Sequence, residues 1–306
     1  MTDGITRVWT PSWPVSLGLT LGGLRRGSGD PTYQRDESRA LWRTMRTPDG
    51  PATQRLAVSA GTVISTSWGP GAAWAAERLP RMLGVDDDVS GFDPSPHPLV
   101  AEQWRRVGAG MRTPAVGCVV EQLVAAVLEQ RVTGLEARRA WRWLLTAHGE
   151  PAPGPGPAAL RVFPAPDVLA RVPSWEWHRA GVDGSRAATV MRVAGHAGRL
   201  EECDLLPLAS AHERMRALPG VGVWTAAEVA SRSLGDADAV SFGDFHVAQD
   251  VVFALTGETD GTDARLAEVL APWPGHRGRV VRLVELTGIS RPARGPRYSP
   301  KDFRRM

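Results

Sequence analysis

The sequence predicts a mainly α chain in which a smaller α+β domain, residues 1–104, precedes a helical region, residues 105–290. Three observations predict it. Apolar residues alternate at period two only within the first hundred positions, the apolar period becomes helical from about Leu99 onward, and the helical pattern is broken by one tight turn, Leu218-Pro219-Gly220-Val221-Gly222.

In order, Val15, Leu17, Leu19 and Leu21 alternate and predict a strand, as do Leu56, Val58 and Ala60 before Gly61, with a further strand over 62–68. Residues 36–45 and 72–83 read as helices, so the first domain assembles as an antiparallel sheet with helices packed on it. The acidic, proline-punctuated stretch 86–98 reads as the connection out of that domain. Val120, Leu123, Val124, Val127 and Leu128 then share one face of a helix ending near Gln130, and Thr133 with Glu136 has capping-box spacing for a second helix through Leu145. A Pro/Gly loop occupies 151–157, and further helices are expected at 167–170, 174–180, 185–196, 211–217, 223–234, 244–255, 263–269 and 277–286. The tail, 291–306, is basic and proline-rich and is expected to be disordered.

Composition excludes several classes. At 306 residues the chain exceeds one ordinary domain, and it has neither a run of eighteen apolar residues nor a basic-then-apolar leader, so a soluble, cytoplasmic protein with no membrane partner is expected. Cys118 and Cys203 are too few for a disulfide framework or a four-cysteine zinc or iron–sulfur site, and read as buried thiols; no metal-site spacing stands out. A net charge of +3 permits a polyanionic partner without demanding one. Lys301 is the sole lysine; the other basic residues, histidine apart, are arginines.

The glycines of the 218–222 turn allow the positive φ and close approach that a hairpin between helices needs, and the helix starting near Val223 then presents free N–H groups to solvent, a phosphate site requiring no basic side chain. Such a string also simply joins two helices. What changes its weight is Gly243-Asp244-Phe245-His246-Val247, which places a carboxylate at the start of the next apolar helix, twenty residues after Trp224. Asp at that position is equally a helix N-cap.

The string Leu218-Pro219-Gly220-Val221-Gly222-Val223-Trp224-Thr225-Ala226, with Asp244 at that offset, resembles the helix-hairpin-helix DNA glycosylases, specifically the DNA-3-methyladenine glycosylase II type. The likeness extends through Glu121-Gln122, Gln130-Arg131-Val132-Thr133 and Phe163-Pro164-Ala165-Pro166-Asp167, covering about residues 105–285. It implies a helix-hairpin-helix glycosylase helical domain preceded by an α+β, TATA-binding-protein-like domain. By the resemblance Asp244 is the catalytic carboxylate, which suits a reaction that develops positive charge on a sugar. Bifunctional relatives carry a lysine where Trp224 stands, so the resemblance implies a monofunctional enzyme that hydrolyses the N-glycosidic bond of an alkylated purine in damaged double-stranded DNA. Arg131 falls at the family's wedge position, or is a surface arginine on phosphate. Trp224 reads as a wall of the base pocket, and Glu228 and Glu285 fall where aromatic pocket residues are expected, or are solvated helix residues. No cofactor is expected beyond a monovalent cation at the hairpin carbonyls, and the protein is expected to be monomeric. A non-catalytic damage-binding protein, or a glycosylase for oxidised or deaminated bases, is the alternative.

Overall fold

The computed structural model describes residues 3–292. Its first domain is a five-stranded antiparallel sheet in the order β1-β5-β4-β3-β2, formed by β1 (Ile5–Trp9), β2 (Tyr33–Arg35), β3 (Leu41–Thr47), β4 (Gly50–Ser59) and β5 (Thr62–Trp68). Ala60 and Gly61, both at positive φ, join β4 to β5 in a two-residue turn whose twist matches the strands it connects. Two helices, α1 (Leu17–Leu21) and α2 (Ala72–Met82), lie with the sheet, and Leu79 and Met82 of α2 cover Leu41, Leu56 and Val63.

Two local expectations are corrected here. Residues 36–45 are not a helix: the Asp36 carboxylate accepts from Ala40 N and Trp42 Nε1 and folds a turn, with Arg39 at φ 66, from which β3 runs out to pair with β4. Residues 15–21 are not a strand, because Ser16 caps Leu19 N and starts α1, where Leu17 and Leu21 are buried one helical turn apart.

The helices form two lobes. The first has α4 (Val119–Glu129) at its centre, buried on every side from Val119 to Leu128 and packed against α5 (Gly134–His148), α8 (Gly184–Gly195), α9 (Ala197–Glu201) and α11 (Val223–Val229). The capping box of Thr133 and Glu136 starts α5. Short helices α6 (Pro166–Leu169), α7 (Ser174–Arg179) and α10 (Leu208–Arg216) complete this lobe, and α11 widens into a π turn over Ala230–Leu234. Two-residue strands β6 (Glu150–Pro151) and β7 (Arg161–Val162) close the loop after α5.

The second lobe packs α12 (Val247–Thr256), α13 (Asp263–Leu270) and α14 (Arg277–Glu285) with α3 (Pro98–Val107). The boundary expected at residue 104 therefore falls inside a helix that belongs with the C-terminal elements. The stretch 86–98 is also more than a connection: Phe92 is buried in the second lobe, edge-on to Trp104. The first lobe is thus inserted into the second, and its two ends cross side by side, with Val116 N donating to Arg232 O and Gly117 N to Ser233 O. Both cysteines are buried and free. No helix among the described residues is long and apolar enough to cross a membrane. Of the tail, Arg291 N donates to Asp250 Oδ1, and residues 293–306 lie outside the described residues.

Glu121, in the first turn of α4, is 5 % exposed and its Oε2 has no hydrogen-bond partner. Burial outweighs the attraction of Arg43 and raises its carboxyl from 4.5 to about 7. The folded chain therefore holds a proton that the unfolded chain releases, and stability falls as pH rises from about 4.5 to about 7. Glu121→Gln is expected to flatten that fall in melting temperature and to melt higher than wild type at pH 8; parallel profiles would refute this.

Candidate active site at the hairpin

Leu218 and Val221 are buried, while Pro219, Gly220 and Gly222 face solvent, so the turn is anchored by its apolar ends and exposes its backbone. Gly220 sits at φ 95, and a Cβ there would lie 2.2 Å from Thr189 Oγ1, so both conformation and space require glycine. The turn is braced from two sides. Gln130 Nε2 donates to Gly220 O (3.0 Å) and Thr225 Oγ1 (2.8 Å), and Arg192 Nη1 donates to Pro219 O (3.3 Å). Gly222 precedes α11 with no side-chain cap, leaving the first N–H groups of that helix for a ligand. With a guanidinium already at the Pro219 carbonyl, this face fits a monovalent cation poorly.

The loop leading to α12 is pinned by His212 on Asp236 (2.8 Å) and by Arg277 on Asp238. Gly243, at φ 87, then turns the chain so that Asp244 Oδ1 accepts from His246 N (2.8 Å) and Val247 N (3.1 Å), while Oδ2 accepts from Trp224 Nε1 (3.0 Å). Asp244 is not itself the N-cap residue of α12, which is His246; one of its oxygens takes the N–H groups leading into that helix, and the other is held toward the indole. Three N–H donors fix the carboxylate, and the charge assistance makes each bond stronger than a neutral one.

Asp244, Trp224 and Glu228 line one cleft of about 480 Å³. Its other walls come from Arg25, Arg26 and Gly27 of the first domain and from Glu129, Val132 and Arg138 near the α4–α5 turn. Glu228 faces this cleft, paired with Arg232 at 2.6 Å and accepting the Ser241 hydroxyl. Burial pushes its carboxyl up, but Arg232 and Ser241 outweigh burial and hold it below its ordinary value, so it is ionised at neutral pH. Glu285 is a correction: it is exposed at the end of α14, paired with Arg282 at 3.1 Å, and does not line the cleft. Arg131 is exposed at φ 54 in the α4–α5 turn, beside the cleft-lining Val132. His246 is exposed against the Phe245 ring and contributes no wall. Sequence reasoning missed the contribution of the first domain, including the ion pair of Arg26 with Glu129 (2.6 Å), because those partners are 103 residues apart and sit in no recognisable motif.

No family model matches the chain. Over 180 residues, 56% of the chain, it is 31% identical to the probable bifunctional transcriptional activator/DNA repair enzyme AlkA of two Mycobacterium tuberculosis strains, and it spans about a third, 34%, of the length of those relatives. Among solved structures, the 3-methyladenine DNA glycosylase of Archaeoglobus fulgidus superposes with a TM-score of 0.74, covering 91% of this chain and 97% of that one at 15% identity. This is the helix-hairpin-helix DNA glycosylase fold. An 8-oxoguanine glycosylase/lyase of Clostridium acetobutylicum shares this glycosylase fold over 93% of this chain and 96% of its own, with a TM-score of 0.71 and 13% identity. The 3-methyladenine DNA glycosylase Mag1 of Schizosaccharomyces pombe, in complex with abasic DNA, covers 67% of this chain and 97% of its own, with a TM-score of 0.51 and 16% identity. The helix-hairpin-helix glycosylase fold thus spans the sheet domain as well as both helical lobes, and it is common to proteins named for different bases.

Proposed function

We propose that this chain is a monofunctional DNA glycosylase of base-excision repair, hydrolysing the N-glycosidic bond of a damaged base in duplex DNA with Asp244 as its catalytic carboxylate. The observation that carries this reading is the fixed Asp244 carboxylate inside a cleft of ligand size, next to a hairpin that offers free backbone N–H groups. In the reaction the C–N bond breaks toward the base, which leaves with the electron pair; a cationic methylated purine thereby departs neutral, and the proton lost by the attacking water passes to solvent. The sugar gains positive charge, which Asp244 stabilises, and a water oxygen forms the new bond to the sugar carbon while losing its proton. Among the described residues none that lines the cleft is a lysine able to form a Schiff base: Trp224 stands at the start of α11, and the chain's one lysine, Lys301, lies outside the described residues.

An alkylated purine is the substrate this reading favours. A methylated purine carries positive charge, which suits the face of Trp224 and the ionised Glu228 one helical turn further along α11, and the relatives with 31% identity are named as AlkA repair enzymes. The Glu228–Arg232 and Arg26–Glu129 pairs favour a second lesion class, oxidised or deaminated bases with a hydrogen-bonding edge, because polar walls left unpaired are costly. The test is a panel of duplexes carrying single alkylated, oxidised or deaminated bases, with released base measured by chromatography and lysine adducts trapped by borohydride. Release of a methylated purine, an intact abasic strand and no trapped adduct are expected. Tight binding across the whole panel with no released base would replace the proposal with a damage-binding role.

A further inference from the structure

The arginines around the cleft fall into two groups. Arg26, 8% exposed, pairs with Glu129, and Arg232 pairs with Glu228, so the positive charge inside the cleft is neutralised within the protein. Arg25, Arg131, Arg138 and Arg142 are different: all four are exposed, and none has an ion-pair partner among the described residues.

These four lie around the cleft and along α5. Arg131 follows Gln130, whose amide holds the hairpin at Gly220. Arg25 and Arg138 line the cleft mouth, and Arg142 lies one turn further along α5. Glycines set the stems in place. A Cβ on Gly27 would lie 2.6 Å from Arg138 Cδ, one on Gly134 would lie 3.0 Å from Arg138 Nη2, and one on Gly29 would lie 3.1 Å from Arg142 Nη1. Two guanidinium stems therefore rest on a surface kept bare of side chains by the loop of the sheet domain.

The arrangement is unfavourable in isolation. Arg138 and Arg142 are like charges four residues apart on one helix face, and Arg131 sits just ahead of the N-terminus of α5, where the helix dipole disfavours a cation. A polyanion running across the track removes both penalties, and the exposed, unpaired state of the guanidiniums leaves their donors free for phosphate oxygens.

We propose that Arg25, Arg131, Arg138 and Arg142 form a second phosphate-binding track, gripping the duplex backbone along the cleft edge that runs from the α4–α5 turn to the sheet domain, so that the sheet domain takes part in DNA binding. The proposal rests on the glycosylase reading, which supplies the DNA. The test measures the affinity of the full chain for an undamaged, fluorescently labelled duplex by anisotropy, between about 50 and 200 mM salt. Each lost phosphate contact lowers the slope of log affinity against log salt by about 0.9, so Arg138→Gln with Arg142→Gln lowers it by about 1.8, and Arg25→Gln alone by about half that. The charge-matched control, Arg171→Gln with Arg265→Gln, removes an exposed and a half-buried arginine that are paired with Asp167 and Glu258 and leaves the slope unchanged. Melting curves confirm that each variant is folded. Equal slopes for the track and control variants, with wild type binding DNA and releasing base, overturn the track alone. A wild-type chain with no salt-dependent duplex binding overturns the track and the glycosylase reading together.

Discussion

Asp244→Asn is expected to slow base release by about 10²–10³-fold while duplex binding stays equal or tightens. The carboxamide keeps an oxygen for the N–H groups of His246 and Val247, so the start of α12 remains capped. What changes lies on the cleft side. The negative charge that steadies the developing sugar cation is gone, and an NH₂ group now meets the Trp224 N–H, donor against donor, where Oδ2 accepted at 3.0 Å. At about 1.4 kcal/mol per decade the loss corresponds to roughly 3–4 kcal/mol of transition-state stabilisation. Affinity does not suffer, because removing an anion beside a polyanion is electrostatically favourable. Single-turnover release on the substrate found in the lesion panel, with affinity measured in parallel, checks both halves; a variant as fast as wild type would remove Asp244 from the chemistry.

Asp87→Ala is expected to destabilise the fold by about 3–5 kcal/mol, the loss typical of a buried ion pair broken from one side. Arg279 is completely buried and Asp87 is 3% exposed, and the carboxylate also accepts from Thr113 N at 2.7 Å. Removing it strands a guanidinium between Phe92 and Trp104, each 5.8 Å from the Arg279 carbon, where water cannot compensate it. Urea denaturation reads the effect, which is insensitive to added salt because the pair is out of solvent's reach. Asp87→Ala combined with Arg279→Leu is expected to recover part of the loss. A single variant within about 1 kcal/mol of wild type would show that the pair is worth no more than a surface bridge. The Asp244 loop depends on this lobe as well, since Arg277, two residues before Arg279, holds Asp238 in that loop.

What the sequence disclosed is what depends on near neighbours. The capping box at Thr133, the buried stripe of α4 and the glycines of the hairpin are each fixed by residues within a few positions, and the offset of twenty joins Trp224 to Asp244 through a hydrogen bond. Short segments misled where two periods coincide: five residues from Leu17 to Leu21 satisfy both alternation and one helical turn, and only the Ser16 cap decides. Residues 36–45 carried no mark of the Asp36 turn that makes them a strand entry. Glu285 is expected in the pocket by the resemblance alone, and in space it is exposed at the end of α14, paired with Arg282. The walls from Arg25 to Gly27, the bridge from Arg26 to Glu129 and the bond from Asp87 to Arg279 unite residues a hundred or more positions apart, which no local pattern announces.

The side-by-side crossing at Val116–Arg232 and Gly117–Ser233 gives the first lobe the architecture of a cassette. Entry and exit meet at one point, so the lobe can be lengthened, shortened or exchanged without altering the spacing of α3, α12, α13 and α14 around it. Asp244 lies just past the exit, on the host, whereas Glu129, Trp224 and Glu228 ride on the insert. On the proposed reading, base selection and bond cleavage are thereby carried by separate parts of the chain, so that one cleavage device could be fitted with different receptors for the base.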